Sequence, residues 1–165
     1  MSPPCSWTPW KSPAAAERPS ASRCGYNGEK SLHGTNMIGL FLVTHSSLGE
    51  SLLQCAFHVL NKRPALMTQL GIAAQDDPLD VLPLVRDMLN LVDGGSGVLV
   101  LTDIFGGTPA NIAAKLLEPG RVEGVSGVNL PMLLRAINHR DKDMKTLVTK
   151  TVAGGRDGVV NMLKH

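Results

Sequence analysis

Two apolar runs in this chain end at chemically reactive side chains, and this pairing constrains the fold more than any other feature of the sequence. Residues 37–43 form the first run and are followed by His45, while residues 98–101 form the second and are followed by Asp103. Apolar runs of this length are typical of parallel strands that are covered on both faces. In an open α/β sheet, ligands bind at the carboxyl ends of the strands. The sequence therefore predicts that an imidazole and a carboxylate meet at one edge of a sheet.

Strand and helix patterns alternate at short intervals from residue 37 onward. Strands are expected at residues 37–43, 66–73, 97–102 and 122–128. Helices are expected at residues 48–62, 78–92, 108–117, 131–138, 143–152 and 157–163. This alternation predicts an α/β fold, in which a doubly wound sheet carries helices on both faces.

Several local signals fix the predicted helix ends and faces. Asp77 is expected to cap the second helix ahead of Pro78, and Thr108 to cap the third ahead of Pro109. Gly94-Gly95 is expected to close the second helix. In the first helix, four residues at helical spacing predict one apolar stripe, with its cysteine buried as a small hydrophobic residue: Leu48, Leu52, Cys55 and Val59.

Residues 1–36 differ in composition from the rest of the chain. They hold five of the eleven prolines and both tryptophans, without apolar periodicity, so we expect a disordered N-terminal extension. An equal alternative is that translation begins at Met37. Residues 37–165 carry twelve basic and twelve acidic residues, and this neutral balance argues against a nucleic-acid partner. No apolar run approaches the ~20 residues of a membrane span, and three scattered cysteines predict neither a disulfide framework nor a zinc site.

The pair His45 and Asp103 suits nucleophilic chemistry on a phosphoryl group. A carboxylate that accepts from Nδ1 fixes the tautomer of the imidazole and leaves Nε2 free for attack. Ser46 and Ser47 can cap the next helix, whose first N–H groups attract anions. A buried structural histidine and an aspartate that caps a turn remain the alternatives for the two residues taken singly.

A second anion-binding element follows Asp103. The run Gly106-Gly107-Thr108-Pro109 is typical of a nest of backbone N–H groups followed by a helix, which together with the threonine hydroxyl can hold phosphate oxygens. It is not a Walker loop, because no lysine follows the glycines. The remaining histidines are expected to lie away from the site, in solvated or terminal positions: His33, His58, His139 and His165.

Three blocks of residues 37–165 resemble the IIA components of the mannose family of the bacterial phosphoenolpyruvate-dependent sugar phosphotransferase system. They are Val43-Thr44-His45, the stretch from Asp103 through Gly-Gly-Thr-Pro to Asn111, and Gly127-Val128-Asn129-Leu130-Pro131-Met132-Leu133. The blocks occur in order along nearly the whole of this region, which makes the resemblance specific.

The resemblance implies a cytoplasmic homodimer with a four-stranded parallel sheet, often completed by an antiparallel strand. It implies that His45 accepts a phosphoryl group from the histidine-containing phosphocarrier protein and passes it to a separate IIB component, with Asp103 polarising the histidine. No metal or cofactor is expected, and contact with the membrane is indirect, through a permease. By position, Thr108 corresponds to a phosphoryl-binding residue of the family, and Asn129 and Pro131 fall in its third active-site loop. Ser46, Gly106 and Gly107 are expected to bind the phosphoryl group with it, because of the helix N-terminus and the nest of N–H groups described above.

Some features leave other functions open. Ser46 stands where many members have glycine, and the stretch that follows also resembles the phosphotransfer subunit of dihydroxyacetone kinase. A regulatory protein whose phosphorylation state is its output would use the same His45. A hydrolase using Ser46 with His45 is disfavoured, because adjacent residues rarely form a serine–base hydrogen bond. A partner-docking rim is expected from four apolar residues in or beside the loops: Leu48, Ile104, Phe105 and Met132. For Phe105, a place in the core is an equal alternative.

Overall fold

A parallel sheet of four strands organises residues 36–164, which are the residues described by the computed structural model. The strands are β1 (Gly39–His45), β2 (Met67–Ile72), β3 (Val98–Thr102) and β4 (Val122–Ser126). Their order is β2-β1-β3-β4, and every neighbouring pair is parallel. The expected disorder of residues 1–36 concerns residues outside those described, apart from Asn36.

Five helices connect and cover the strands. They are α1 (Leu48–Leu60), α2 (Pro78–Val92), α3 (Thr108–Ala114), α4 (Leu130–His139) and α5 (Met144–Asp157), and a short 3-10 turn follows at Met162–Lys164. None of the helices within residues 36–164 has the length and apolar character needed to cross a bilayer. The predicted α/β class is confirmed.

Alternating side chains of the central strands build one apolar core on each face of the sheet. Leu40 and Leu99 point to the face covered by α1, α4 and α5. Phe41 and Val100 point to the opposite face, which α2 and α3 cover. Because both faces are buried, the central strands are apolar at every position, which explains the runs seen in the sequence.

The connections from β1 and β3 diverge. From β1 the chain passes through α1 to β2, and α2 then returns it across β1 to β3 on the other side. β1 and β3 are therefore neighbours at the point where the strand order reverses, which is where open α/β sheets form a crevice for ligands. His45 ends β1, and Asp103 directly follows β3.

The first helix buries a different stripe from the predicted one. Its buried residues are Gly49, Leu53 and Ala56, whereas Cys55 is exposed and Leu48 and Val59 are largely exposed. Two of the three buried residues are small. At Gly49 the helix lies so close to the sheet that a Cβ would lie 3.0 Å from Thr44 Oγ1 and 3.3 Å from the Gln69 side chain. The prediction was wrong for Leu48, Cys55 and Val59, because it passed over Gly49 and Ala56, whereas Leu52 is partly buried against the core.

The N-cap of α3 lies one residue earlier than expected, and the helix is shorter than expected. Gly107 is its N-cap, and the Gly107 carbonyl accepts from Asn111 N at 3.0 Å, so Thr108 is the first helical residue and not the cap. The helix ends at Ala114, where Lys115 N and Leu116 N turn back to carbonyls three residues earlier. By contrast, the Asp77 carboxylate caps α2 as predicted, accepting from Leu79 N at 2.8 Å.

The C-terminal half also departs from the prediction in two places. Helix α5 runs unbroken through Gly154 and Gly155, and residues 157–163 do not form a helix of their own. Strand β4 ends at Ser126, because Gly127 N and Val128 N both fold over to donate to the Thr102 carbonyl at 2.9 Å. Within residues 36–164 there is no added antiparallel strand, only an isolated antiparallel bridge at the start of β4.

Candidate functional site

His45 and Asp103 are in direct contact at the carboxyl end of the sheet. His45 Nδ1 lies 2.8 Å from Asp103 Oδ2, and the His45 backbone N–H donates to the same oxygen at 2.9 Å. The other carboxylate oxygen, Oδ1, accepts from Ile104 N at 2.9 Å. The predicted meeting of imidazole and carboxylate is therefore present.

This contact sets the chemistry of both groups. Burial alone would raise the pKa of Asp103, but the His45 backbone N–H, the His45 ring and the Ile104 N–H outweigh it and lower the pKa below its usual value. An ionised carboxylate can only accept, so Nδ1 is the nitrogen that carries a proton in this contact; in the neutral imidazole, Nε2 then presents a lone pair. The His45 side chain is 47% exposed and that of Asp103 only 11%, so the imidazole is open to solvent while the carboxylate is shielded.

Gly107 lies directly against the imidazole. A Cβ at this position would lie 2.9 Å from His45 Cε1, 3.5 Å from His45 Nε2 and 2.9 Å from Ile104 Cγ2. Only glycine leaves room for the ring, and the close approach brings the loop backbone to the side of the ring that carries Nε2. Gly106 has a φ of +80°, a conformation that glycine adopts without strain.

The remainder of this loop is held by its own helix. Asn111 Nδ2 donates to the Gly106 carbonyl at 3.2 Å, which ties the turn to α3. Thr108 is exposed at the first position of α3. Asn111 belongs to the second sequence block, but its bond to Gly106 could not be read from the spacing.

The segment after His45 is anchored through the Thr44 side chain and the Ser46 backbone, and not through a capping serine side chain. Ser46 has a φ of +49°, its N–H donates to Ile72 O at 2.9 Å, and a Cβ on the neighbouring Gly71 would collide with its carbonyl. Ser47 is the N-cap of α1 but its side chain makes no capping bond. The buried Thr44 hydroxyl accepts from Gly49 N at 2.8 Å instead. Sequence reasoning missed Thr44; the only signal was a hydroxyl residue at the end of an otherwise apolar strand.

The third loop is fastened to α5. Asn129 caps α4, accepting from Met132 N at 2.9 Å, while Asn129 Nδ2 donates to the Gly155 carbonyl at 3.1 Å. Pro131 packs so closely on Gly158 that a Cβ there would collide with the proline ring. Both residues thus position the loop, and neither hydrogen-bonds His45 or Asp103.

Three of the four predicted rim residues surround the site as exposed apolar surface. Leu48 is 43%, Ile104 59% and Phe105 88% exposed. Met132, a residue of α4, is buried in the core against α5, so its assignment to the rim was wrong. Exposed apolar side chains beside a reactive histidine are suited to contact with another protein.

The other described histidines lie elsewhere. His58 is in the last turn of α1 and His139 in the last turn of α4, where its Nδ1 lies 2.9 Å from the Arg135 carbonyl. His33 and His165 are outside the described residues.

Comparison with known proteins places this arrangement in a family. Residues 39–152 match the family model described as the PTS system fructose IIA component, where PTS denotes the phosphotransferase system. The mannose-specific EIIAB component of Escherichia coli K12 is 30% identical over 125 residues, which cover 74% of this chain and 38% of that protein. The chain thus spans well under half the length of that relative.

Two further likenesses differ in kind. The transcriptional regulatory protein LevR of Bacillus subtilis is 28% identical over 111 residues, or 66% of this chain and 11% of that protein. The crystal structure of phosphotransferase system component EIIA from Streptococcus agalactiae superposes with a TM-score of 0.69 at 25% identity, covering 78% of this chain and all of that one. The match over the three strand-end loops and both central strands shows that this chain belongs to the mannose/fructose family of phosphotransferase-system IIA components.

Proposed function

We propose that this protein is a phosphoryl carrier that accepts a phosphoryl group on His45 Nε2 and passes it to another protein. The observation that carries the proposal is the 2.8 Å contact between His45 Nδ1 and Asp103, which leaves Nε2 as the exposed nucleophile. The donor is the histidine-containing phosphocarrier protein and the acceptor a separate IIB component. The phosphotransfer domain is assigned to residues 37–165, and the family model matches residues 39–152 within it.

The transfer is an in-line displacement between two histidines. The Nε2 lone pair attacks the phosphorus of the donor phosphohistidine, a new N–P bond forms, and the donor N–P bond breaks with its electron pair returning to the donor ring. His45 keeps the proton on Nδ1, so its ring becomes a cation that the Asp103 carboxylate stabilises. Onward transfer to the IIB component reverses these steps.

The phosphoryl oxygens are held without a metal or cofactor. The Gly106 and Gly107 N–H groups and the Thr108 and Ser46 hydroxyls are the proposed donors. Support comes from Gly107, which contacts the ring beside Nε2 and so lies within reach of a group bound there. Asn129 and Pro131 contribute by keeping the third loop in place.

We further propose that the protein acts in the cytoplasm as a homodimer, with no nucleic-acid partner and only indirect contact with the membrane through a permease. Strand β4 is an edge strand of the described sheet, and such edges are commonly covered or paired. Four large apolar residues after α5 are each more than half exposed: Val159, Val160, Met162 and Leu163. This surface is available for a second subunit.

A regulatory role is the second candidate. The likeness to LevR, a transcriptional regulatory protein, favours it, because a phosphorylated His45 can serve as a signal without onward transfer. Label passed from this protein to a IIB component indicates transport, whereas label that stays on His45 indicates regulation. A dihydroxyacetone kinase role would instead require transfer to that kinase.

The first experiment is phosphorylation from labelled phosphoenolpyruvate through the general phosphotransferase proteins. His45→Ala is expected to abolish label uptake while the melting temperature stays within a few degrees, because the side chain is half exposed and its loss opens no core cavity. His58→Ala, which removes an exposed histidine from α1, is the matched control and should take up label as wild type does. An undiminished acid-labile phosphate on the His45→Ala variant would refute the assignment.

A further inference from the structure

A cleft lies between α2 and the connection from α3 to β4. Its volume is about 220 Å³. Val122, at the amino end of β4, forms part of its wall and pairs with Val98 at the amino end of β3. His45 lies at the opposite, carboxyl end of the sheet, roughly 15 Å away at the usual rise per strand residue. The cleft is therefore separate from the phosphoryl-carrying site.

Basic side chains outnumber acidic ones in this cleft. Arg86, Lys115 and Arg121 line it together with one carboxylate, Glu118. Arg121 is already paired, with Nη2 lying 3.2 Å from Asp93 Oδ2 and Nη1 3.4 Å from Glu118 Oε2. Arg86 and Lys115 form no ion pair with any carboxylate in residues 36–164. Two cations thus face the cleft without a partner.

The backbone around the cleft is fixed in advance. Glu118 and Val122 exchange two backbone hydrogen bonds of 2.9 and 2.8 Å, and Arg121 N donates to Glu118 O at 2.9 Å. The Asp93 carboxylate that holds Arg121 is itself fixed by the N–H groups of Gly95 and Gly97. This wall of the cleft is therefore ordered without a ligand, so that the exposed side chains of Arg86 and Lys115 are the groups that lose conformational freedom when a ligand binds.

From this geometry we propose that the cleft binds a small organic phosphate, whose phosphate group pairs with Arg86 and Lys115. A phosphate monoester carries nearly two negative charges at neutral pH, which matches the two unpaired cations. Guanidinium and ammonium groups are the side chains that most often bind phosphate oxygens. Leu89 and Leu117 supply apolar wall for the organic part, and a volume below the usual ~300–1,000 Å³ of ligand pockets limits its size.

The proposal is tested by NMR titration of the full chain labelled with ¹⁵N. Glucose 6-phosphate, inorganic phosphate and glucose are the three probes, added to wild type and to the His45→Ala variant. Glucose 6-phosphate should shift the amides of residues 86–90 and 115–122 in both proteins, inorganic phosphate should bind more weakly, and glucose should not bind. Use of the His45→Ala variant separates this cleft from the phosphoryl site, so either proposal can fail alone.

Charge variants assign the ligands. The double variant Arg86→Gln with Lys115→Gln should raise the Kd for glucose 6-phosphate about tenfold or more, since charge-assisted hydrogen bonds are lost. Lys145→Gln with Lys150→Gln removes the same charge from exposed positions on α5 and should leave the Kd unchanged. Absence of shifts at millimolar ligand, equal weakening in both double variants, or equal affinity for inorganic phosphate and the ester would overturn the proposal.

Discussion

At the scale of single residues, one carboxylate oxygen controls the candidate site. Asp103 Oδ2 accepts from both the backbone and the ring of His45, so the direction of the imidazole is tied to the end of its own strand. An ordinary ion pair between flexible side chains would leave the ring free to rotate. Here the carboxylate both orients the ring and provides the charge that opposes an imidazolium.

Asp103→Asn should therefore slow phosphoryl transfer by roughly 10²–10⁴-fold without unfolding the protein. An amide oxygen can still accept from the backbone N–H, but the amide can also stabilise the wrong tautomer and cannot neutralise the cation. Rapid-quench measurement of label transfer tests this, with Asp141→Asn, a surface aspartate paired only with its neighbour Lys142, as the control. Equal rates for Asp103→Asn and wild type would reduce Asp103 to a turn-capping residue.

Gly107→Ala should impair phosphoryl transfer because it displaces the His45 ring, and not because it unfolds the protein. The backbone at Gly107 (φ −74°, ψ 165°) suits alanine, but the new Cβ would lie 2.9 Å from His45 Cε1. We expect transfer to fall about tenfold or more, as misplacement of reacting groups does, with stability lowered by about 1 kcal/mol or less. The His45 ring signals in NMR should move, while those of His58 and His139 serve as internal controls. Unmoved His45 signals with a normal rate would contradict the close contact.

The sequence predicted the reactive pair but not its supports. His45 and Asp103 could be paired because each follows a strongly apolar strand, and parallel strands end at a common edge. Thr44 matters because its hydroxyl lies close to the start of α1, and Gly107 because its backbone lies close to the imidazole. Such contacts between elements cannot be predicted from a local sequence pattern. Met132 was assigned to the docking rim because it lies beside the third loop in sequence, yet its side chain is buried in the core.

At the scale of elements, the packing of α4 against α5 decides where the third loop lies. Two glycines of α5 allow the approach, since a Cβ at Gly154 would lie 2.5 Å from Arg135 Cβ and one at Gly155 2.5 Å from Met132 Cε; Gly158, the C-cap of the helix, lies against Pro131. The sequence pattern placed a break at these glycines. They are in fact contact positions, and glycine in a helix is tolerated where close packing compensates for its low propensity.

Gly154→Ala and Gly155→Ala form a matched pair that separates these effects. Both gain about 1 kcal/mol of helix propensity. At Gly154 the new methyl meets the Cβ of Arg135, which cannot move without shifting α4, so we expect a net loss of about 1–3 kcal/mol. At Gly155 it meets mainly the mobile end of Met132, so the loss should be smaller. Urea unfolding of both variants measures the difference, and equal stabilities would indicate that α4 and α5 adjust freely.

Other elements could be predicted directly from local sequence signals. The strands were visible as apolar runs because both faces of the sheet are covered, and α2 was bounded by Asp77 and Pro78. Helix α3 was predicted too long, because its C-terminal residues continue an apolar pattern although the chain turns at Lys115 to reach β4.

At the scale of the whole molecule, the proposed dimer is the central prediction. Sedimentation velocity at micromolar concentration should give a dimer, because β4 is an edge strand of the described sheet and the residues after α5 are apolar and exposed. Lysine at Val159 and Met162 together should shift the protein toward monomer. Val59→Lys on α1, where the side chain is 57% exposed, should not. A monomer for the wild-type protein would exclude the family's assembly while leaving carrier function intact.

A single exposed nitrogen at one edge of the sheet has a kinetic consequence. In the proposed carrier mechanism, the donor and the acceptor proteins both approach His45 at the carboxyl end of β1 and β3, where the two connections leave in opposite directions. Donor and acceptor must therefore take turns, and no ternary complex can form around one His45. An excess of either partner would occupy His45 and slow the transfer. The rate of the proposed relay therefore depends on fast dissociation of each partner as much as on tight binding.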